Sequence, residues 1–182
     1  EWTEIISNPV IFGDQEQKVV QHADLPVVKN ELSITLRIKL NNHASDWANV
    51  FQKGTEGITH TPGLWLTAHK AALHARFTGN WNPNVGIDEL DGLLIQKWYH
   101  IAYTLSEPKK RLDVYINSEW AGFFSIQDVR NQNVIFNDGP MYIGKSPFHS
   151  GFNGEISKGP NNCATNEEDS TETAFAKLRI MT

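Results

Sequence analysis

Hydrophobic positions recur with a period of two along most of this chain. Over residues 33–40, Ile34, Leu36, Ile38 and Leu40 fall on one face and Ser33, Thr35, Arg37 and Lys39 on the other. That is the pattern of a strand with one dry and one wet side. Residues 71–77 repeat it, with Leu73, Ala75 and Phe77 opposite Ala72, His74 and Arg76, and residues 111–116 do so again. Residues 98–105 are apolar at nearly every position, which predicts a central strand covered on both sides. Further strands are predicted at 9–12, 16–21, 48–53, 63–68, 119–125, 140–145 and 174–181. Gly, Pro, Asn and Asp punctuate the runs, as in Thr61-Pro62-Gly63, Asn82-Pro83-Asn84 and Asn137-Asp138-Gly139-Pro140. Many short strands with frequent turns and no sustained helical period imply an all-β sandwich or barrel.

A chain of 182 residues suits one domain with a substantial core, and no repeat or second domain is visible. Residues 159–173 break the rhythm: they hold four acids, no base and no apolar periodicity, and read as a solvated acidic insertion. The net charge of −5 argues against nucleic acid as a partner. No apolar run approaches the roughly 18–20 residues of a membrane span. The one cysteine, Cys163, excludes an internal disulfide framework. Residues 1–12 carry no signal-peptide pattern, and the chain has no Asn-x-Ser/Thr acceptor.

Several segments together resemble a known family. Lys97-Trp98-Tyr99-His100-Ile101-Ala102, followed by Leu112-Asp113-Val114-Tyr115-Ile116-Asn117, looks like the paired strands of laminin G-like domains. Residues 32–40, Val50-Phe51-Gln52-Lys53-Gly54, Met141-Tyr142-Ile143-Gly144 and Gly151-Phe152-Asn153-Gly154-Glu155-Ile156 resemble further family pieces in the family's order. The resemblance is to the laminin G-like branch of the concanavalin A-like lectin/glucanase superfamily. It implies a jelly-roll sandwich of two antiparallel sheets, with His100 as a structural strand residue. Two departures stand out. Asn117-Ser118 replaces an Asn-Gly turn, which predicts a slightly different hairpin geometry. The acidic insertion also separates segments that the family runs together. Members of this superfamily bind glycans or proteins, hold calcium, or cleave polysaccharides, so function must be argued from residues.

A glucanase of this fold would need a strand with alternating carboxylates. The nearest run, Glu89-Leu90-Asp91, lacks the third acid and lies in a turn-like stretch, so no catalytic residue is assigned. The seven histidines show no metal-binding spacing. Calcium could use the loop acids Asp46, Asp88, Asp91 and Asp138, but no pair matches the family's metal positions and no metal ligand is assigned.

Asn80-Trp81-Asn82-Pro83-Asn84 is the strongest ligand candidate. An indole face stacks on the apolar face of a pyranose, and planar amides pair with its hydroxyls. The competing expectation is that Trp81 folds back as a plug and the asparagines satisfy the turn. If the strands at 48–53, 63–68 and 71–77 run up and down in order, the loop at 54–62 brings His60 toward Trp81. Trp47 and Trp120 are the next candidates for exposure, while Trp65 and Trp98 are expected in the core. Arg37, Lys39, His74, Arg76, Asp113 and Tyr115 form a second candidate, a mixed-charge platform if their strands share one sheet. The expected function is a non-enzymatic recognition module binding carbohydrate at an external surface. The alternative is a structural or protein-binding jelly roll within a larger assembly.

Overall fold

The structure is a computed structural model that describes residues 2–88, 90–126, 133–156 and 178–182. Fourteen strands occur among them: β1 (Trp2–Ile6), β2 (Val10–Phe12), β3 (Gln17–Val20), β4 (Glu31–Leu40), β5 (Ala48–Lys53), β6 (Gly63–Leu66) and β7 (Leu73–Phe77), then β8 (Val85–Gly86), β9 (Trp98–Ser106), β10 (Arg111–Ile116), β11 (Glu119–Ser125), β12 (Met141–Gly144), β13 (Gly154–Ile156) and β14 (Leu178–Met181). The acidic insertion predicted at 159–173, Cys163 and Glu89 lie outside the described residues.

Two antiparallel sheets form a jelly-roll sandwich. The eight-stranded sheet runs β1-β14-β4-β9-β10-β11, with β13 and β2 attached beside β4. The six-stranded sheet runs β3-β12-β5-β6-β7-β8. Ile34, Leu36, Ile38 and Leu40 of β4 are fully buried, as their alternation predicts, and meet Phe51, Leu64, Leu73 and Phe77 of the other sheet in one core. Each such side chain contributes roughly 1.5–3 kcal/mol of burial.

β5 carries an irregularity that sets which way its last residues face. Asn49 pairs with Trp65 and Phe51 with Leu64, so Val50 is an extra residue and the ladder bulges there. Val50 and Phe51 both enter the core. Beyond the bulge, Gln52 faces outward and Lys53 inward, opposite the buried Met141.

Four expectations need correction. β9 is central, between β4 and β10, yet its burial alternates: only one face is dry, and the other is half-covered. Trp98 lies on that half-covered face and not in the core, under the cations of Arg37 and Lys39 at 5.6 and 5.2 Å. The hairpin at Asn117-Ser118 keeps both turn residues at positive φ (52° and 66°), the signature of the type I′ turn that Asn-Gly would make. Finally, the mixed-charge platform does not exist as one surface. Arg37, Lys39, Asp113 and Tyr115 belong to the eight-stranded sheet, whereas His74 and Arg76 belong to the six-stranded one, with the core between them. Alternation assigns a side chain to a face but cannot say which sheet its strand joins.

Candidate functional site

The six-stranded sheet and the loops at one end of it carry six of the seven predicted ligand residues, with Arg76 and His60 on the outer face and Asn80, Trp81, Asn82 and Asn84 on the loop after β7. On β7 the side chain of Arg76 lies flat against its neighbours. Its Nε donates to His74 Nε2 at 2.7 Å, and Nη2 to Asp88 Oδ1 at 2.6 Å. The guanidinium is almost covered, while the Asp88 side chain is 95 % exposed, so the pair presents its acidic end to solvent. At the start of β7, Trp47 packs edge-on against His74 at 4.7 Å.

At the other end of β7, the loops at 54–62 and 78–84 meet. His60 Nε2 lies 3.1 Å from Asn84 Oδ1, and the His60 N–H donates to Thr78 Oγ1 at 3.0 Å. Thr61 Oγ1 accepts the Thr78 N–H at 2.9 Å, fixing the same junction. The three asparagines of the candidate loop use their oxygens to hold it. Asn80 Oδ1 accepts from the Asn133 N–H and Asn82 Oδ1 from the Asn84 N–H, at 2.8 and 2.9 Å. Their NH2 groups are therefore the chief polar atoms left for a ligand. Trp81, at the loop tip, is 60 % exposed, so it is no plug on the sandwich end.

The centre of this face was missed by sequence reasoning. Trp65 is buried, as expected, but on the outer side. It lies edge-on to His60 at 5.1 Å and to His149 at 5.9 Å. Its indole passes over Gly63, where a Cβ would come within 2.6 Å of the ring. Beside it the polar groups are under-satisfied: Trp65 Nε1, Asn49 Oδ1, His149 Nδ1 and both terminal atoms of Gln52 are buried without a hydrogen-bond partner among the described residues. Such atoms are rare in folded proteins and mark places where a small polar partner is accommodated. The available signal was the two amides, Asn49 and Gln52, on either side of the apolar pair Val50-Phe51 in β5. Burial lowers the pKa of His60, against the raising effect of its Asn84 bond, and burial likewise lowers that of His149.

Arg37 stands apart on the opposite sheet. It is only 7 % exposed, stacked on Trp98, with Nε unpartnered among the described residues. On that same sheet Trp120 is exposed and stacks on Phe123 at 5.5 Å, with Arg111 lying 4.3 Å over the Phe123 ring. Of the acidic run at 89–91, Asp91 sits on an exposed irregular stretch rather than on a strand.

The architecture thus defines a class: a jelly-roll sandwich with a polar and aromatic patch on one outer sheet face. The laminin G family model, described as the concanavalin A-like lectin/glucanases superfamily, matches residues 13–158, and the chain belongs to this family. Comparison with curated proteins gives no match by sequence. Among solved structures, the chain resembles a Bacteroides ovatus protein described as a candidate carbohydrate binder, with TM-score 0.57 and 18 % identity over 84 % of this chain and 42 % of that one. Domains LG4-5 of the mouse laminin α1 chain give TM-score 0.61 and 13 % identity, covering 85 % of this chain and 42 % of that one. A heptameric pentraxin from Limulus polyphemus gives TM-score 0.50 and 17 % identity, covering 85 % and 69 %. At these identities the likeness concerns the fold. The chain spans about two fifths of the first two proteins.

Proposed function

We propose that this protein is a non-enzymatic recognition module that binds carbohydrate at the external surface of a cell, matrix or particle. The observation that carries this reading is the pair of exposed indoles at opposite ends of β7. Trp47, 39 % exposed, and Trp81 flank the Arg76–Asp88 and His60–Asn84 pairs. The strand between them spans on the order of 14 Å, at about 3.4 Å per residue. Aromatic faces at both ends stack on pyranose rings, and the planar groups between them orient hydroxyls. Membership of a lectin-containing family and the likeness to a candidate carbohydrate binder support the same reading. Retaining hydrolysis needs two carboxyls about 5–5.5 Å apart, and the position of Asp91 off any strand weighs against that chemistry. Asp46 and Asp88 are acids beside this face among the described residues, so calcium bridging to a sugar belongs to the test.

The test is a glycan-array screen of the purified protein, run with calcium and with chelator, alongside Trp47→Ala and Trp81→Ala. Binding that each substitution weakens at least about tenfold is expected, from the roughly 1.4 kcal/mol that a stacked ring supplies. Binding untouched by both would remove the site from this face, and a blank array would sink the carbohydrate reading.

A second reading, a protein-binding jelly roll in a larger assembly, is favoured by the Trp120–Phe123 stack on β11. Among the described residues that strand pairs only with β10, and an edge strand of this kind is where another chain adds.

A further inference from the structure

Between the sheets, beneath residues 22–28, lies a cavity of about 390 Å³ whose walls include Val28, Leu32, Ile34, Phe136, Met141 and Ile180. This is within the range of sites that enclose a small organic molecule. It opens on the core side of the six-stranded sheet, away from the outer patch. One cation projects into this apolar space. Lys53, only 7 % exposed, is turned inward by the bulge in β5. Its ammonium donates to the main-chain carbonyl of Asn137 and lies 3.4 Å from Asn137 Oδ1. An ammonium carries three hydrogens, so one more bond is available toward the cavity. Among the described residues the acid whose field reaches it is Asp138, whose side chain is 95 % exposed and paired with His22 at 3.3 Å at the rim.

A charge in such a place is held at a disadvantage. Burial lowers the Lys53 pKa, opposed only by the field of Asp138. A buried cation in an apolar cavity is stabilised most by an anion that brings its own apolar body. We propose that this cavity binds a small apolar carboxylate, such as a medium-chain fatty acid, with its chain against Ile34, Met141 and Ile180 and its carboxylate on Lys53 Nζ. The apolar walls select the chain, and the ammonium selects the acid over the corresponding alcohol. The cavity shares Thr61 with the junction under the glycan-binding face, but neither Lys53 nor the apolar walls named here belong to that face.

Isothermal titration calorimetry with decanoate and with decan-1-ol tests it. Decanoate is expected to bind once per chain. Lys53→Met, which keeps the length and apolar stem of the side chain, should weaken decanoate at least about tenfold while changing decan-1-ol by less than about threefold, since a bond to a charged group is worth roughly 1.5–3 kcal/mol. Val28→Trp, which fills the cavity from its outer wall, should abolish both. A folded wild-type protein that binds no decanoate would overturn the proposal, as would a Lys53→Met variant that loses both ligands equally or neither. A further readout needs no variant: decanoate should move the titration of Lys53, followed by its 13Cε resonance, to higher pH. An unmoved titration with decanoate bound would place the ligand elsewhere and overturn the assignment.

Discussion

The Tyr103 hydroxyl donates a 2.7 Å hydrogen bond to the main-chain carbonyl of Arg76, joining the two sheets through the core. Tyr103 belongs to β9 and is fully buried, with its ring edge-on to Phe51 at 5.6 Å. The bond fixes β7 from behind at Arg76, whose side chain reaches His74 and Asp88 on the outer patch. Burial holds the phenol well above its ordinary pKa, so it remains a donor at any working pH.

Tyr103→Phe removes that donor and the bond between the sheets. The variant should be less stable by about 0.5–1.5 kcal/mol, read as a lower urea midpoint with an unchanged slope. A midpoint equal to wild type would mean that the carbonyl finds another partner.

Buried His60 and half-buried His149 make stability depend on pH in a definite direction. Burial lowers the pKa of His60 and of His149 below the ordinary value of 6.5. Below that value the unfolded chain takes up protons that the folded chain refuses, so the folded state loses stability as pH falls. The urea midpoint should therefore decline between pH 7.5 and 5.5, and His60→Gln/His149→Gln should flatten the decline. An equally steep decline in the double variant would assign it to other groups.

Gly63 is reserved for the indole of Trp65. An added methyl would sit 2.6 Å from two ring carbons and 3.2 Å from His60 Cβ. Trp65 is itself held between His60 and His149, so it cannot yield freely. Gly63→Ala should cost about 1–3 kcal/mol, as overpacked sites do. It should also alter the near-ultraviolet circular dichroism of the tryptophans; an unaltered spectrum would contradict the contact.

Ser118 occupies a left-handed position, with φ of 66°, where an L-residue is strained. Ser118→Gly is expected to stabilise the β10–β11 hairpin by about 0.5–1 kcal/mol, the strain relieved less the added freedom of the unfolded chain. Thermal unfolding is the check, and a lower melting temperature would mean that the serine side chain contributes more than its backbone loses.

Much of the sandwich was legible because β4, β7 and β10 alternate strictly and each has a dry face. The meeting of His60 with Asn84 follows from three successive antiparallel strands, a local topology. What escaped depends on long-range facts. The separation of Arg37 from Arg76 is set by strand partners distant in sequence, and the covering of Trp65 is set by loops rather than by a sheet. The inward turn of Lys53 escaped for a sharper reason. Strict alternation from Ala48 would send Gln52 inward with Val50 and leave Lys53 in water. The one-residue bulge reverses that order, and no composition signal announces it.

The extra residue in β5 sets which of two neighbouring polar side chains lines the inter-sheet cavity. Replacing an apolar core residue by lysine in one step strands a charge and is strongly disfavoured. An inserted residue upstream does something different: it carries a lysine already tolerated at the surface to the inside, and moves its glutamine neighbour out in exchange. The bulge has a practical corollary. In relatives that lack the inserted residue, a lysine aligned with Lys53 would lie in solvent. A shared letter at that position would then say nothing about a shared ligand, and the length of the strand before it would say a good deal.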